Sequence, residues 1–237
     1  MVKINYIGKC VLIDGGKERI LVVGDLHFGY AERLKIGGVE IEEKRFLEMI
    51  EEFDEIFLKV GRGISKIVLL GDLKHGFSEL SINEREELGR FFDYLGGKCG
   101  EIVVIRGNHD NYLLNITKRR GLEIKESYFG EGCFFMHGDQ EIKEMLGEKV
   151  GVVIMAHLHP IVELRGGVKS EKYKCFLEGN YKGKKIIILP SFADVGGGLD
   201  VREIIRKKIF GFNWKKFNVL AIGEKSVLDF GELGKIS

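Results

Sequence analysis

The residues able to do chemistry in this 237-residue chain are concentrated in a few short motifs, among them all six histidines: His27, His75, His109, His137, His157 and His159. Several follow strand-like runs. Ile20-Leu21-Val22-Val23-Gly24 leads into Asp25-Leu26-His27, and Ile67-Val68-Leu69-Leu70-Gly71 leads into Asp72. Ile102-Val103-Val104-Ile105-Arg106-Gly107 leads into Asn108-His109-Asp110. A short apolar run closed by glycine is the pattern of a strand buried on both faces in a mainly parallel sheet. Polar side chains just past such strands sit at the edge where open α/β sheets place ligands. Three strands therefore deliver Asp, His and Asn to one edge.

Imidazole, carboxylate and amide oxygen together suit borderline divalent ions. The expected cofactor is a pair of such ions, manganese first, with iron, cobalt, nickel and zinc also compatible. Asp25 and His27 read as alternating along an extended segment and so sharing a face; His157 and His159, in Ala156-His157-Leu158-His159-Pro160, read the same way from the other half of the chain. Two ions about 3.5–4 Å apart need a bridging anion from the protein and activate water at neutral pH. Asp72 is assigned as that bridge. Cys10, Cys99, Cys133 and Cys175 form no Cys-x-x-Cys pair, which excludes a zinc knuckle or redox motif and leaves buried, reduced thiols.

Elements must hold these motifs in place. Val2 to Tyr6 and Lys9 to Ile13 read as short strands, with a turn at Asp14-Gly15-Gly16 before the first motif. Gly37-Gly38 breaks the chain, and Phe46, Met49, Ile50, Phe53, Phe57 and Val60 then recur at helical spacing. Ser81-Ile82-Asn83-Glu84 predicts a capping box for a helix to about Leu95, with Leu88, Phe91, Phe92 and Leu95 inward. Alternating strands and helices imply a parallel sheet with helices packed outside it. The second half reads as strands at Ile124 to Tyr128, Cys133 to Met136, Val152 to Met155, Ile161 to Leu164, Cys175 to Leu177 and Ile186 to Leu189. An antiparallel meander is the economical arrangement. Two more strands, Lys216 to Ile222 and Ser226 to Phe230, follow a glycine turn at Gly196-Gly197-Gly198.

Length and 44% hydrophobic content fit one α/β domain over residues 1–237. With 37 basic and 36 acidic residues, no overall field draws the chain to nucleic acid or membrane. No signal core or membrane-length apolar run is visible, so a cytoplasmic protein with no membrane partner is expected.

Gly24-Asp25-Leu26-His27, Gly71-Asp72, Gly107-Asn108-His109-Asp110, Met136-His137-Gly138-Asp139 and Ala156-His157-Leu158-His159 resemble the five ordered motifs of the calcineurin-like metallophosphoesterases. Lys74-His75-Gly76 after Asp72 resembles the SbcD-type nucleases, where the protein phosphatases place Asp-Arg. Leu189-Pro190-Ser191-Phe192 and the glycine turn resemble the small archaeal SbcD-related phosphoesterases. The resemblance implies a four-layer α/β/β/α sandwich of two mixed sheets. It also implies one metal on Asp25, His27, Asp72 and His159 and the other on Asp72, Asn108, His137 and His157. His109 becomes the acid that protonates the leaving oxygen, with His75 orienting it, while activated water attacks phosphorus in line.

The implied substrate is a phosphoester, with nucleic acid among the candidates and a nuclease-type activity on DNA or RNA leading. Hydrolysis of small nucleotides or other phosphoesters is the runner-up. A protein-binding scaffold, as in the retromer subunit of this fold, is disfavoured by the complete motif set. Lys172, Lys174, Lys182 and Lys184, interleaved with Tyr173, Phe176 and Tyr181, compose a candidate single-strand platform. A second basic patch is Arg202, Arg206, Lys207, Lys208, Lys215 and Lys216 around Trp214.

Overall fold

The computed structural model describes residues 2–30, 39–61, 63–166, 169–194, 198–207, 209–224 and 226–236. Tight turns let β1 (Lys3–Ile7), β2 (Cys10–Asp14) and β3 (Arg19–Val23) pair antiparallel. From β3 onward the pairing becomes parallel through β4 (Lys66–Leu69), β5 (Glu101–Ile105) and β6 (Ile124–Lys125). Parallel neighbours need crossovers, and α1 (Val39–Val60) and α2 (Ile82–Gly96) supply two of them. α2 starts where the sequence places it: Ser81 Oγ accepts from Glu84 N at 3.1 Å, and Glu84 Oε2 accepts from Ser81 N at 2.7 Å. These satisfy two donors that the first turn would otherwise leave open.

Strand alternation builds two cores from one sheet. Leu21, Val23, Ile67 and Leu69 face the helices and pack with Phe46, Phe53, Leu88 and Phe91. Ile20, Val22, Val68 and Leu70 face the other way and meet Phe135, Ile154, Phe176 and Ile187 of a second sheet. That sheet follows the path β13-β10-β11-β12-β9-β8-β7 in chain-order numbering. Its strands are β7 (Ser127–Gly130), β8 (Cys133–Met136), β9 (Val152–Met155), β10 (Pro160–Gly166), β11 (Lys169–Tyr181), β12 (Lys184–Ile188) and β13 (Leu199–Asp200). A further pair, β14 (Asn218–Ile222) and β15 (Val227–Glu232), joins through β11. The outer face of the second sheet is covered by a short helix, Val201–Ile204, and by Phe212, Trp214 and Phe217. The architecture is two mixed sheets stacked face to face between outer layers. The outer layer on the second sheet is thin.

Three expectations need correction. The second half is not a simple meander, because β8, β9 and β12 run parallel. Its crossovers are a loop with one 3₁₀ turn and the β10–β11 hairpin, neither of which carries the helical periodicity that marks a crossover in sequence. Ile124 to Tyr128 is two strands: Ile124 and Lys125 close the first sheet, and from Ser127 the chain pairs with β8 in the second. β11 is much longer than Cys175 to Leu177, since one end pairs with β10 and the other with β12 and β14. The Gly37-Gly38 break, Gly196, Gly197 and Lys208 lie outside the described residues. No described helix is long and apolar enough to cross a membrane.

Phe53 is fully buried and stacks on Phe192 with centroids 4.2 Å apart, whereas Ser81 acts only at a helix end. Phe53→Ala should cost about 3–5 kcal/mol and Ser81→Ala about 1 kcal/mol. Urea midpoints of the two variants check this, and comparable losses would contradict the core assignment.

Candidate metal centre

The register of the first sheet brings its motifs level. Val23 pairs with Leu69 and Leu69 with Val104, so the segments beyond them leave the sheet side by side. Asp72 then ties them together. Its carbonyl accepts from Leu26 N at 3.1 Å and His27 N at 2.9 Å, and its Oδ1 accepts from His109 N at 2.9 Å. This interlock requires glycine. A Cβ on Gly71, whose φ is +93°, would lie 2.6 Å from Gly107 N, and one on Gly107 would lie 2.3 Å from Asp72 Oδ1. The second sheet closes on the same edge: Ala156 N donates to the His137 carbonyl at 2.8 Å, and His137 Nδ1 donates to the Leu70 carbonyl at 2.7 Å. That last bond turns His137 Nε2 toward the cluster.

Donor atoms of Asp25, His27, Asp72 and His159 lie within 4.8 Å of one another, and those of Asp72, His137 and His157 do likewise. The sets share Asp72. His27 Nε2 is 3.3 Å from His159 Nε2, and His159 Nε2 is 3.3 Å from Asp25 Oδ1. His137 Nε2 lies 3.1 Å from both His157 Nδ1 and Asn108 Oδ1, and 3.5 Å from Asp72 Oδ2. Bonds of about 2.0–2.1 Å to a common ion at tetrahedral or octahedral angles put neighbouring donors roughly 2.8–3.4 Å apart. Several of these separations fall in that range. Asp25 Oδ1 is buried and makes no hydrogen bond of good geometry, its ionic neighbour being His159 Nε2, a costly state for a carboxylate oxygen unless something positive faces it. The residues therefore fit divalent ions, with Asp25, His27 and His159 on one side of Asp72 and Asn108, His137 and His157 on the other.

The electrostatics agree. Burial pushes Asp72 upward, but His137 and His109 outweigh it and hold the carboxyl well below the usual range. Burial also pushes His137 down, yet Asp72 and Asp25 hold it up at about 9. His27 is lowered to about 4, because burial there exceeds the pull of Asp25. Carboxylates this deep draw a proton onto the nearest imidazole, and a divalent cation would displace it.

The expected route to this convergence was incomplete. His27, His157 and His159 do not alternate along extended strands: their φ angles are +46°, +65° and +45°, and that of Asp72 is +49°. Each motif bends through the left-handed region after its strand ends. Such residues cost about 1 kcal/mol or more apiece, and they persist where surrounding structure holds them. Gly198 contributes: a Cβ there would lie 2.3 Å from the His159 carbonyl, which accepts from Leu199 N at 3.0 Å.

His109 lies at the rim, with Nε2 3.8 Å from Asp72 Oδ2. Its Nδ1 donates to the backbone carbonyl of His75, so His75 orients it through the main chain, while the two rings stack with centroids 5.5 Å apart. The His75 ring instead meets His27 and Tyr30 edge-on. Asp110 accepts from Gly107 N and Leu73 N, both at 2.9 Å, and braces the two loops. Phe28 belongs to the core. Sequence reasoning passed over Phe77, whose ring lies on His109 with centroids 3.9 Å apart. A lone aromatic in the polar stretch His75 to Glu79 was its only signal.

The structure does not assemble the lysine platform. Lys174 Nζ turns inward to the carbonyls of Ser191 (2.8 Å) and Ala193 (2.6 Å) and to Asp194 at 2.9 Å. Lys184 Nζ holds the carbonyls of Gly147 (2.9 Å) and Val150 (2.6 Å). Lys172 and Lys182 are exposed but sit at opposite ends of β11, Lys172 where it pairs with β10 and Lys182 in the turn between β11 and β12. In the second patch Trp214 is buried and donates to the Lys207 carbonyl at 2.9 Å, so it packs in the core.

If Asp72 serves both sides, Asp72→Asn should deplete metal at both, whereas His159→Ala should deplete mainly one. Elemental analysis of the purified variants checks this, and a full complement in Asp72→Asn would remove the bridge.

The solved structure of the Pseudomonas putida nuclease MPE matches 96% of this chain and 100% of its own at 17% identity and TM-score 0.62, a likeness of fold. A predicted phosphoesterase from Streptococcus pneumoniae aligns at 13% identity and TM-score 0.37, covering 90% of this chain and 97% of its own. Zinc-bound Vps29 from Entamoeba histolytica aligns at 15% identity and TM-score 0.37, covering 90% and 99%. No curated protein matches the chain. The family model for calcineurin-like phosphoesterases matches residues 18–214, a span that contains every donor of the centre, and the chain belongs to that family of metal-dependent phosphoester hydrolases.

Proposed function

We propose that this phosphoester hydrolase is a phosphodiesterase that cleaves polynucleotide strands, DNA or RNA, with a pair of manganese ions as the preferred cofactor. The observation that carries the reading is His109. Its Nδ1 is committed to the His75 carbonyl, so Nε2 is the nitrogen left to face the cluster beside Asp72. Protonated, it presents a donor where the alcohol leaves. The sugar alkoxide expelled from a nucleic acid is a poor leaving group, and a positioned acid is worth about 10²–10⁴-fold there. When bound, the ions supply Lewis acidity and lower the pKa of water. The chain's own part is to hold the carboxylates and imidazoles in place, through Asp72, the two glycines and the His137–Leu70 bond, and to aim the His109 proton. The whole-chain likeness to a nuclease fold supports the same reading.

One observation favours the second reading, a hydrolase of small nucleotides. A cavity beside His27 is walled by Phe28, Phe46, Met49 and Phe192, with Arg45 and Lys9 among the acids Glu48, Glu52, Glu87 and Asp194 at its polar side. Its aromatic walls suit a single base, with the phosphate left to the metal centre beside His27.

The metal-loaded protein should be assayed on single-stranded DNA, duplex DNA, RNA, cyclic nucleotides and aryl phosphates. His109→Ala should retain its metal and lose about 10²–10⁴-fold on oligonucleotides, with a smaller loss on activated aryl diesters, which leave without a proton. Equal losses on both classes would argue against the acid, and turnover confined to cyclic or mononucleotides would select the second reading.

A further inference from the structure

Two aromatic side chains that no core claims follow motifs of the metal centre, Phe77 two residues after His75 and Tyr112 two after Asp110. Phe77 is 61% exposed and Tyr112 is 48% exposed. Phe77 lies on His109 with planes 26° from parallel, so its outer face is open directly beside the proposed acid. Lys74 links it to Tyr112. The Lys74 ammonium takes the carbonyls of Gly76 and Ser78, on either side of Phe77, and lies 5.8 Å from the Tyr112 ring centroid.

Beyond Tyr112 the surface opens into a cleft between α2 and the helix Leu114–Lys118, lined by Tyr112, Arg85, Lys118, Arg119 and Arg120. Arg120 is committed to Asp93, at 3.0 and 3.1 Å. Arg85, Lys118 and Arg119 are exposed, and no described acidic side chain pairs with them. Glu79 is the acidic residue of the lining. The chain as a whole carries a formal charge of only +1, so this concentration of cations is local. Unpaired like charges gathered in a concave surface repel one another unless an anion joins them. Cations that follow a backbone and flat rings that accept unpaired bases are together the chemistry of single-strand recognition.

We propose that Phe77, Tyr112 and this cleft are the binding track of a single-stranded polynucleotide, with bases on Phe77 and Tyr112 and phosphates on Arg85, Lys118 and Arg119. The track rests on the phosphodiesterase reading above and names its substrate. Bases paired in a duplex are stacked on each other and have no free face for the two rings. The strand thus runs from the ions over His109 toward α2, away from the β10–β11 hairpin.

The test is binding of fluorescent phosphorothioate dodecamers, thymidylate and uridylate, to the manganese-loaded protein across a salt series. Arg85→Gln, Lys118→Gln and Arg119→Gln combined should weaken binding and make the log-log salt slope shallower by about 2, at about 0.7 per lost contact. Phe77→Leu and Tyr112→Leu should each weaken binding about fivefold or more with the slope unchanged, and Tyr112→Trp should restore it. Thermal midpoints equal to the parent's exclude unfolding as the cause. The thymidylate to uridylate affinity ratio separates DNA from RNA. The proposal is overturned if the triple variant keeps the parent slope, if Lys172→Gln with Lys182→Gln carries the loss instead, or if duplex binds more tightly than single strand. A parent that cleaves oligonucleotides while the triple variant keeps its slope loses only the track. A parent that hydrolyses aryl diesters but neither binds nor cleaves either polynucleotide loses the polynucleotide reading as well.

Discussion

Everything at the metal centre depends on Asp72, and on how closely two backbones approach to place it. Its carbonyl holds the Asp25–His27 segment, its Oδ1 holds the amide of His109, and its Oδ2 faces His137. One residue thereby connects motifs from three strands of one sheet and one strand of the other. The connection works because Gly71 and Gly107 leave no room for a side chain between the loops. A Cβ on Gly107 would displace the carboxylate itself, and one on Gly71 would strike Gly107 and the His137 ring, so the constraint is steric at both and also conformational at Gly71.

The two sheets make that convergence rigid. The first sheet alone would leave Asp25, Asp72 and Asn108 on an open edge. Stacking the second sheet on the shared core of Val22, Leu70, Phe135, Ile154 and Ile187 brings in His137, His157 and His159. At Gly24 a Cβ would lie 2.8 Å from the Pro190 carbonyl, so the first motif also leans directly on the segment after β12. Left-handed backbone at His27, Asp72, His157 and His159 is the local cost of turning each strand end toward one point. The cost is tolerated because each turn is anchored by a rigid strand behind it.

Positive charge in this molecule serves two different ends. Lys174 and Lys184 spend their ammonium groups on backbone carbonyls of loops, which is structural service. Lys66 does the same in a buried setting with Tyr128, Glu18 and Glu101, an arrangement that raises it above the usual lysine range although burial opposes the charge. Arg85, Lys118 and Arg119 have no such employment among the described residues. Composition treats all of these cations alike, and only the partners each one finds distinguish them.

The sequence by itself determined the elements with short-range causes. The three buried strands of the first half, the capping box of α2 and its apolar face each follow from local spacing, and the structure contains them. The seven candidate ligands were legible as well, because Asp, His and Asn placed after strand ends have few structural reasons to recur in that order. Tertiary structure decided what depends on distant partners. The parallel pairing of β8, β9 and β12 and the passage of the chain between sheets at Glu126 arise from long-range pairing that leaves no periodic mark. Whether a lysine is solvated or turned onto a carbonyl, and whether an aromatic such as Trp214 is core or one such as Phe77 is exposed, depends on what lies across from it. Spacing along one chain carries no record of that, since the neighbours that decide it come from segments far away in sequence.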